Sequence, residues 1–102
     1  MSLVLFEIRD NIALLTLNNP LKRNMLTAEV CELIVDYVAQ AEQHPDVKAL
    51  IVTGNGPTFC AGGQLTDITA DQLMLENIYS GFLCIAQCEL PTIAAVNGPA
   101  VG

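Results

Sequence analysis

The sequence predicts an α/β fold in which short strands are covered by helices. Three observations support this prediction. Several short runs rich in valine, isoleucine and leucine are bounded by turn-forming residues, which is typical of strands. One segment has the three- and four-residue spacing of an amphipathic helix, and a second helix is indicated later in the chain. Two of the strands are almost entirely apolar, and such strands need covering layers on both faces.

The chain begins with a predicted hairpin. Residues 4–9 and 12–18 are apolar runs separated by the polar pair Asp10-Asn11, and they predict two strands. The turn over residues 18–24 ends the second strand, because Pro20 has no N–H to donate to a sheet and asparagine tolerates turn geometry.

An amphipathic helix is predicted next. Thr27 is the expected N-cap, Glu29 lies in the favourable first turn, and His44-Pro45 ends the helix, since the residue before a proline avoids helical geometry. The expected buried positions are Val30, Ile34, Tyr37 or Val38, and Ala41.

The second half of the chain predicts two more strands and a helix. Residues 47–53 and 92–96 are short apolar runs that predict buried strands, each followed by a turn containing glycine. The helix is expected over about residues 71–87. Its candidate core positions are Leu73, Ile78, Phe82 and Ile85.

Length and composition allow at most one domain. The 102 residues are 52% hydrophobic and 15% charged, whereas a domain of this size buries only about 60 to 70% of its unfolded surface. We therefore expect a further part of the chain or a subunit interface to cover the excess apolar surface.

Charge and hydropathy exclude two classes of partner. Eleven carboxylates outnumber four basic residues and no basic block is present, so we expect no nucleic-acid partner. No apolar run reaches the roughly 18 residues of a membrane span, so we expect no membrane partner. The first residues lack the features of a secretory signal, which predicts a cytoplasmic location.

The four cysteines are expected to be reduced and to hold no metal. Cys31, Cys60, Cys84 and Cys88 lie in apolar stretches, where a thiol behaves as a small hydrophobe. Cys84 and Cys88 are spaced i, i+4, but zinc needs four ligands and His44 is the only histidine. Cys60 also has no neighbouring histidine that could activate it as a nucleophile.

The segment with the clearest chemical potential is Thr-Phe-Cys-Ala-Gly-Gly-Gln-Leu at residues 58–65. Small residues let a ligand approach the backbone closely. Amides that point into a cleft can stabilise an oxygen that becomes negative during a reaction, by about 3 to 4 kcal/mol per donor. The alternative is a tight strand-to-helix connection that needs glycine, and spacing alone favours it.

Three motifs occur in order along the chain. They are N-N-P-L-K-R-N-M-L at residues 18–26, A-L-I-V-T-G-N-G-P-T-F-C-A-G-G-Q-L at 49–65, and P-T-I-A-A-V-N-G-P-A-V-G at 91–102. Together they resemble the crotonase (enoyl-CoA hydratase/isomerase) superfamily over essentially the whole chain. The resemblance implies that residues 1–102 form the amino-terminal portion of a crotonase-like ββα spiral.

That resemblance implies an enzyme of acyl-CoA and fatty acid metabolism, a hydratase (lyase) or isomerase that stabilises a thioester enolate in an oxyanion hole. Gly63 is implied as the first oxyanion donor and the catalytic residue. No cofactor is implied beyond coenzyme A in the substrate, and relatives suggest a homo-oligomer, a trimer or hexamer, when full length. The implied substrate-binding residues are Lys22, Arg23, Ala61, Gly63, Gln64, Leu65 and Thr66.

Several positions allow a second interpretation. Lys22 and Arg23 are implied to lie near coenzyme A, but a basic pair after a turn can simply be solvated. Gln64 replaces the family's aspartate, which leaves the hydrogen bonding of its loop open. Asn97 and Gly98 either shape the turn into the site or are ordinary turn residues.

The remaining catalytic groups are expected outside this sequence. The second oxyanion donor is implied just beyond Gly102, and the acid/base glutamates further on, so residues 1–102 alone are expected to be inactive. Glu76 and Glu89 are better explained as surface or helix-end carboxylates.

The alternative from another class is a truncated, non-catalytic paralogue that binds acyl-CoA or a related subunit. A phosphate-cradling α/β protein is disfavoured, because neither G-x-x-x-x-G-K-[ST] nor G-x-G-x-x-G is present.

Overall fold

A mixed sheet with a long helix on one face forms the body of the chain. The structure is a computed structural model that describes residues 2–60 and 83–98. In these two ranges the elements are β1 (Val4–Arg9), β2 (Ile12–Leu17), a short 3-10 helix (Pro20–Lys22), α1 (Ala28–Gln43), β3 (Ala49–Gly54) and β4 (Thr92–Ala94). Residues 83–86 are also helical.

The four strands lie side by side in chain order. β1 and β2 are antiparallel, and their two-residue turn at Asp10 and Asn11 has φ angles of 52° and 68°. A two-residue hairpin turn of type I′ requires positive φ at both central positions, which aspartate and asparagine tolerate. β2 and β3 are parallel, as are β3 and β4. The predicted hairpin is confirmed.

The predicted helix α1 is also confirmed. The Thr27 hydroxyl accepts a hydrogen bond from the backbone N–H of Val30 at 3.2 Å, and His44 at the other end has extended geometry before Pro45. Of the two positions left open, Val38 is buried, whereas Tyr37 stacks on Phe6 of β1 with ring centroids 4.8 Å apart.

The core lies between α1 and one face of the sheet. It consists of alternate strand residues, the inner stripe of α1 and a few residues from the loops. Its strand members are Val4, Ala13, Leu15, Leu17, Leu50 and Val52; α1 supplies Val30, Cys31, Ile34, Val38 and Ala41; the connecting segments supply Leu26, Val47, Phe59 and Cys60.

The prediction that the last strand is buried was wrong for the described residues. β4 is shorter than predicted and exposed along its length, with Ile93 57% exposed. It pairs with β3 on one side, and all three of its residues are exposed. β3 itself buries Leu50 and Val52, while Ile51 on its other face is half-buried. An apolar run is buried only where a covering layer lies against it.

The second predicted helix lies mostly outside the described residues, including Leu73, Ile78 and Phe82. Ile85, in its described part, is half-buried against the core. Neither α1 nor any other helix within 2–60 and 83–98 is long and apolar enough to cross a membrane.

Candidate functional site

Three loops meet at one edge of the sheet. β2, β3 and β4 are mutually parallel, so their carboxyl ends lie at the same edge. In α/β sheets, ligands bind outside the carboxyl ends of the strands. The loops that follow these strands contain parts of the three sequence motifs, at residues 18–26, 55–60 and 95–98.

The loop after β2 is joined to the loop after β3 by Asn24, which is only 2% exposed. Its Nδ2 donates to the carbonyl oxygens of Asn55 at 3.0 Å and Thr58 at 2.8 Å. Its Oδ1 accepts from the backbone N–H of Asn19 at 2.8 Å. The carboxamide therefore closes its own loop and holds the neighbouring one.

Two further contacts join the same loops. Nδ2 of Asn55 donates to Oδ1 of Asn18 at 2.8 Å, and the backbone N–H of Asn55 donates to the carbonyl oxygen of Leu17 at 2.9 Å. Gly56 has φ +86°, and a Cβ placed on it would lie 2.6 Å from Cβ of Pro20. Glycine is required there both for backbone geometry and for close approach.

The loop after β4 lies against the same turn. Nδ2 of Asn97 donates to the carbonyl oxygen of Gly56 at 2.7 Å. A Cβ placed on Gly98 would overlap the carbonyl group of Pro57 and lie 3.3 Å from Cα of Thr58. The turn at residues 55–58 is therefore in contact with the other two loops. Of the two interpretations of Asn97 and Gly98, these contacts favour a role in shaping the edge.

The two predicted coenzyme A contacts in the described chain, Lys22 and Arg23, are exposed beside this edge. With Leu21 and Met25 they line a cleft of about 390 Å³ that contains two cations and no carboxylate. Leu21 is 98% exposed. An open cleft with two cations and apolar side chains can accept an anionic ligand that also has an apolar part.

The other predicted site residues lie outside the described residues: Ala61, Gly63, Gln64, Leu65 and Thr66. The first described range ends at Cys60, and both Phe59 and Cys60 are buried in the core. The first two residues of the glycine segment, residues 59–65, thus lie beside the edge where the three loops meet. Glu76 also lies outside; Glu89 is exposed after the helical residues 83–86, as expected for a helix-end carboxylate.

The four cysteines lie in or against the core. Burial raises the pKa of the Cys84 thiol, and the Glu42 carboxylate and then Cys88 raise it further. A thiol with a raised pKa is a poor nucleophile at neutral pH. Within the described ranges, no group of three or more His, Cys, Asp or Glu residues could hold a metal ion.

The contribution of Asn24 was missed by sequence reasoning, which treated it only as part of a motif. Its two carbonyl partners lie 31 and 34 residues further along the chain. No local periodicity indicates such contacts. The available signal was the position of Asn24 within the motif. A motif indicates that asparagine occurs at this position, but it does not indicate what its side chain contacts.

Comparison with known proteins adds to this geometry. The sequence model of the enoyl-CoA hydratase/isomerase family matches residues 7–102. A probable enoyl-CoA hydratase of Mycobacterium tuberculosis is 42% identical over 104 residues, which cover 97% of this chain and 41% of that protein. The 1,2-epoxyphenylacetyl-CoA isomerase of Escherichia coli is 30% identical, with 100% of this chain and 42% of that protein covered.

A solved structure is similar over nearly the whole chain. An enoyl-CoA hydratase/isomerase from Xanthobacter autotrophicus superposes with a TM-score of 0.87 at 33% identity. The match covers 96% of this chain and 39% of that one. The chain thus spans about two-fifths of the length of the relatives it matches.

Proposed function

Since the chain belongs to the enoyl-CoA hydratase/isomerase family, the crotonase superfamily, we propose that it forms part of an enzyme that processes an acyl-CoA thioester. The proposed reaction passes through a thioester enolate whose oxygen is stabilised in an oxyanion hole. Hydration or double-bond isomerisation follows from that intermediate. Coenzyme A enters as part of the substrate, and no separate cofactor is proposed.

The proposed first donor to the thioester oxygen is the backbone N–H of Gly63. The second is proposed just beyond Gly102, in the segment that follows Asn97-Gly98. The observation that supports this pairing is the contact between Asn97-Gly98 and the turn at residues 55–58, which brings the starts of both segments together. Amides held in place before the reaction stabilise a developing negative charge without reorganisation.

Lys22 and Arg23 are proposed to bind the phosphates of coenzyme A. A chain with net charge −7 needs local cations to attract such a ligand, and the cleft beside the loop edge has two. An arginine guanidinium can form two parallel hydrogen bonds to a phosphate, whereas lysine acts as a point charge. Ala61, Gln64, Leu65 and Thr66 are proposed to flank the pantetheine and adenine.

The two amides determine the intermediate and not the product. A protein named as a hydratase and one named as an isomerase both match this chain. What distinguishes the products is where protons are removed and added, which depends on acid/base groups. We propose that these groups lie in segments outside residues 1–102.

Assembly and location are part of the same proposal. We expect a homo-oligomer, a trimer or hexamer, that acts in fatty acid metabolism in the cytoplasm. Support for assembly comes from large apolar side chains that are exposed in the described chain, among them Leu5, Ile12, Ile93 and Val96. Contiguous exposed apolar surface is typical of interaction sites.

The first test is hydration of crotonyl-CoA by the purified intact protein, together with its mass and its binding of butyryl-CoA, a saturated analogue. We expect turnover and binding by a protein heavier than the 10.9 kDa of these residues. Binding without turnover at 10.9 kDa would support the non-catalytic paralogue. No binding of either thioester would contradict the proposal.

A further inference from the structure

The turn directly before the glycine segment is held by a side chain from another loop. We propose that Asn24 is a positioning residue for the proposed donor Gly63, because it holds the turn at residues 55–58, which ends five residues before Gly63 in the sequence. The inference rests on the proposed function and extends it, because it assigns a role to a residue that does not touch the reacting atoms.

The hydrogen bonds of Asn24 match the capacity of a carboxamide. Both hydrogens of Nδ2 have carbonyl acceptors, on Asn55 at 3.0 Å and on Thr58 at 2.8 Å, and Oδ1 has a donor in Asn19 N–H at 2.8 Å. An ionised aspartate has no donors, and glutamine is longer by one methylene. With only 2% of the residue exposed, water offers little replacement for these bonds.

The backbone around Asn24 is shaped to present this side chain. Arg23 and Asn24 have φ angles of 55° and 54°, in the left-handed region where asparagine is among the few residues that settle readily. The backbone N–H of Asn24 donates to the carbonyl oxygen of Asn19 at 2.9 Å. The backbone of the loop is thus closed by its own hydrogen bond, and the side chain of Asn24 is free to contact the turn at residues 55–58.

Thr58 precedes Gly63 by five residues. The two residues that follow Thr58, Phe59 and Cys60, are anchored in the core. Phe59 is 8% exposed and Cys60 is 2% exposed. Asn24 holds the carbonyl of Thr58, so three consecutive residues, 58–60, are fixed in place before the sequence reaches Gly63. A displacement of about 1 Å in a catalytic group can cost about a hundredfold in rate.

Asn24 also follows the two cations proposed to bind coenzyme A. Lys22, Arg23 and Asn24 are consecutive, and they lie in a loop whose end is bonded to the turn before the glycine segment. One short loop therefore carries both the two cations proposed to bind coenzyme A and the side chain that holds the turn at residues 55–58. Asn24 is the residue whose side chain bonds this loop to the turn at residues 55–58.

The test uses three substitutions in the intact protein. Asn24→Gly removes the carboxamide and keeps the left-handed backbone accessible. Asn24→Asp keeps the size and replaces the donors with an acceptor oxygen. Asn24→Ser is milder, since its hydroxyl can keep one donor. The control is Ile34→Val or Ile34→Ala, whichever matches the loss of thermal stability, because Ile34 is fully buried on α1.

Two readouts separate positioning from general stability. The first is the separation of kcat from KM for crotonyl-CoA, well below the unfolding temperature. The second is the infrared stretching frequency of the thioester carbonyl in bound butyryl-CoA labelled with ¹³C. A donor aimed at this oxygen lowers the frequency relative to the free ligand.

For Asn24→Gly and Asn24→Asp we expect kcat to fall by roughly ten- to a hundredfold, KM to stay within about twofold and the frequency shift to shrink. Asn24→Ser should be intermediate, and the Ile34 control should keep both wild-type values. Wild-type kcat and frequency in a folded Asn24 variant, or equal losses in the control, would overturn the inference. If the wild-type protein neither turns over crotonyl-CoA nor shifts the carbonyl, the proposed function itself fails.

Discussion

The side-chain amide of Asn97 donates to the carbonyl oxygen of Gly56 at 2.7 Å, across 41 residues of sequence. The same turn also accepts two hydrogen bonds from Asn24. Two carboxamides from different loops therefore hold three carbonyl groups of one turn. Substitutions at this point should impair the site more than substitutions of similar thermodynamic cost elsewhere.

Gly98→Ala should disrupt the contact between the loops after β3 and β4. The added Cβ would overlap the carbonyl group of Pro57, which is main chain and cannot rotate away. We expect a loss of about 1 to 3 kcal/mol in the free energy of unfolding and a fall in kcat with crotonyl-CoA. Ala95→Ser, at an exposed position of the same loop, is the control and should change stability by less than about 0.5 kcal/mol. An unchanged urea midpoint for Gly98→Ala would show that the loops separate without cost.

Gly63→Pro should remove the proposed first oxyanion donor, because proline has no backbone N–H. We expect kcat for crotonyl-CoA to fall by roughly a hundred- to a thousandfold in a folded protein. Gly63→Ala keeps the N–H and should lose much less. Equal activity of the proline variant and the wild type would refute the role of this amide.

Charge reversal at the loop after β2 should weaken binding of coenzyme A. For Lys22→Glu and Arg23→Glu we expect KM for crotonyl-CoA to rise about tenfold with kcat little changed, since a charge-assisted hydrogen bond contributes about 1.5 to 3 kcal/mol. The effect should shrink as salt is added. Lys48→Glu makes the same change in net charge at an exposed position before β3, away from the cleft, and should leave KM unchanged.

The pantetheine thioester of the same acyl group gives a second check of this prediction. It lacks the nucleotide and its phosphates, so its KM should not respond to either substitution. If the Lys22 and Arg23 variants impair both thioesters equally, the basic pair does not contact the nucleotide portion.

Thr27→Ala should destabilise α1 and leave the site intact. The Thr27 hydroxyl accepts a hydrogen bond from the N–H of Val30 at 3.2 Å, and loss of such a cap costs about 1 kcal/mol. The measurement is urea unfolding: we expect the midpoint to fall while the denaturant slope m stays unchanged. Thr27→Ser, which keeps a capping hydroxyl, should retain most of the stability. A loss as large in the serine variant would assign the effect to the methyl group.

The reactivity of Cys84 should depend on Glu42. Burial and then the Glu42 carboxylate raise the pKa of the thiol, so its labelling by iodoacetamide should reach half its maximal rate at a higher pH than for an ordinary thiol. Glu42→Gln removes the charge and should lower that midpoint, whereas Glu32→Gln, exposed on α1, should not. Labelling at Cys84 is followed by mass spectrometry. No displacement of the midpoint by Glu42→Gln would contradict the electrostatic contribution.

The same shift has a consequence for stability. A raised pKa in the folded state means that folding favours the protonated thiol over the thiolate. The resulting contribution is present below the ordinary thiol pKa and is lost as the pH rises through the folded value. As the pH rises above neutral, the wild-type protein should therefore lose free energy of unfolding at a lower pH than the Cys84→Ala variant does. Each loss is measured relative to the same protein at neutral pH.

Sequence patterns were sufficient for the elements whose causes are local. Asp10-Asn11 predicted the hairpin turn, and Thr27 and Pro45 predicted the ends of α1, because each acts on residues within a few positions. The apolar run at residues 92–96 predicted a strand correctly but its burial wrongly. Burial depends on what packs over a strand, and all three residues of β4 are exposed.

By itself the sequence determined the family, through three ordered motifs, and the main elements up to β3, through periodicity and turn chemistry. Only the tertiary structure decided that the three motifs meet at one turn, and that Asn24 and Asn97 both hold it. The physical reason is that these hydrogen bonds join residues 31 to 41 positions apart. Such contacts arise when parallel strands bring their carboxyl ends to one edge, and no local pattern of residues encodes them.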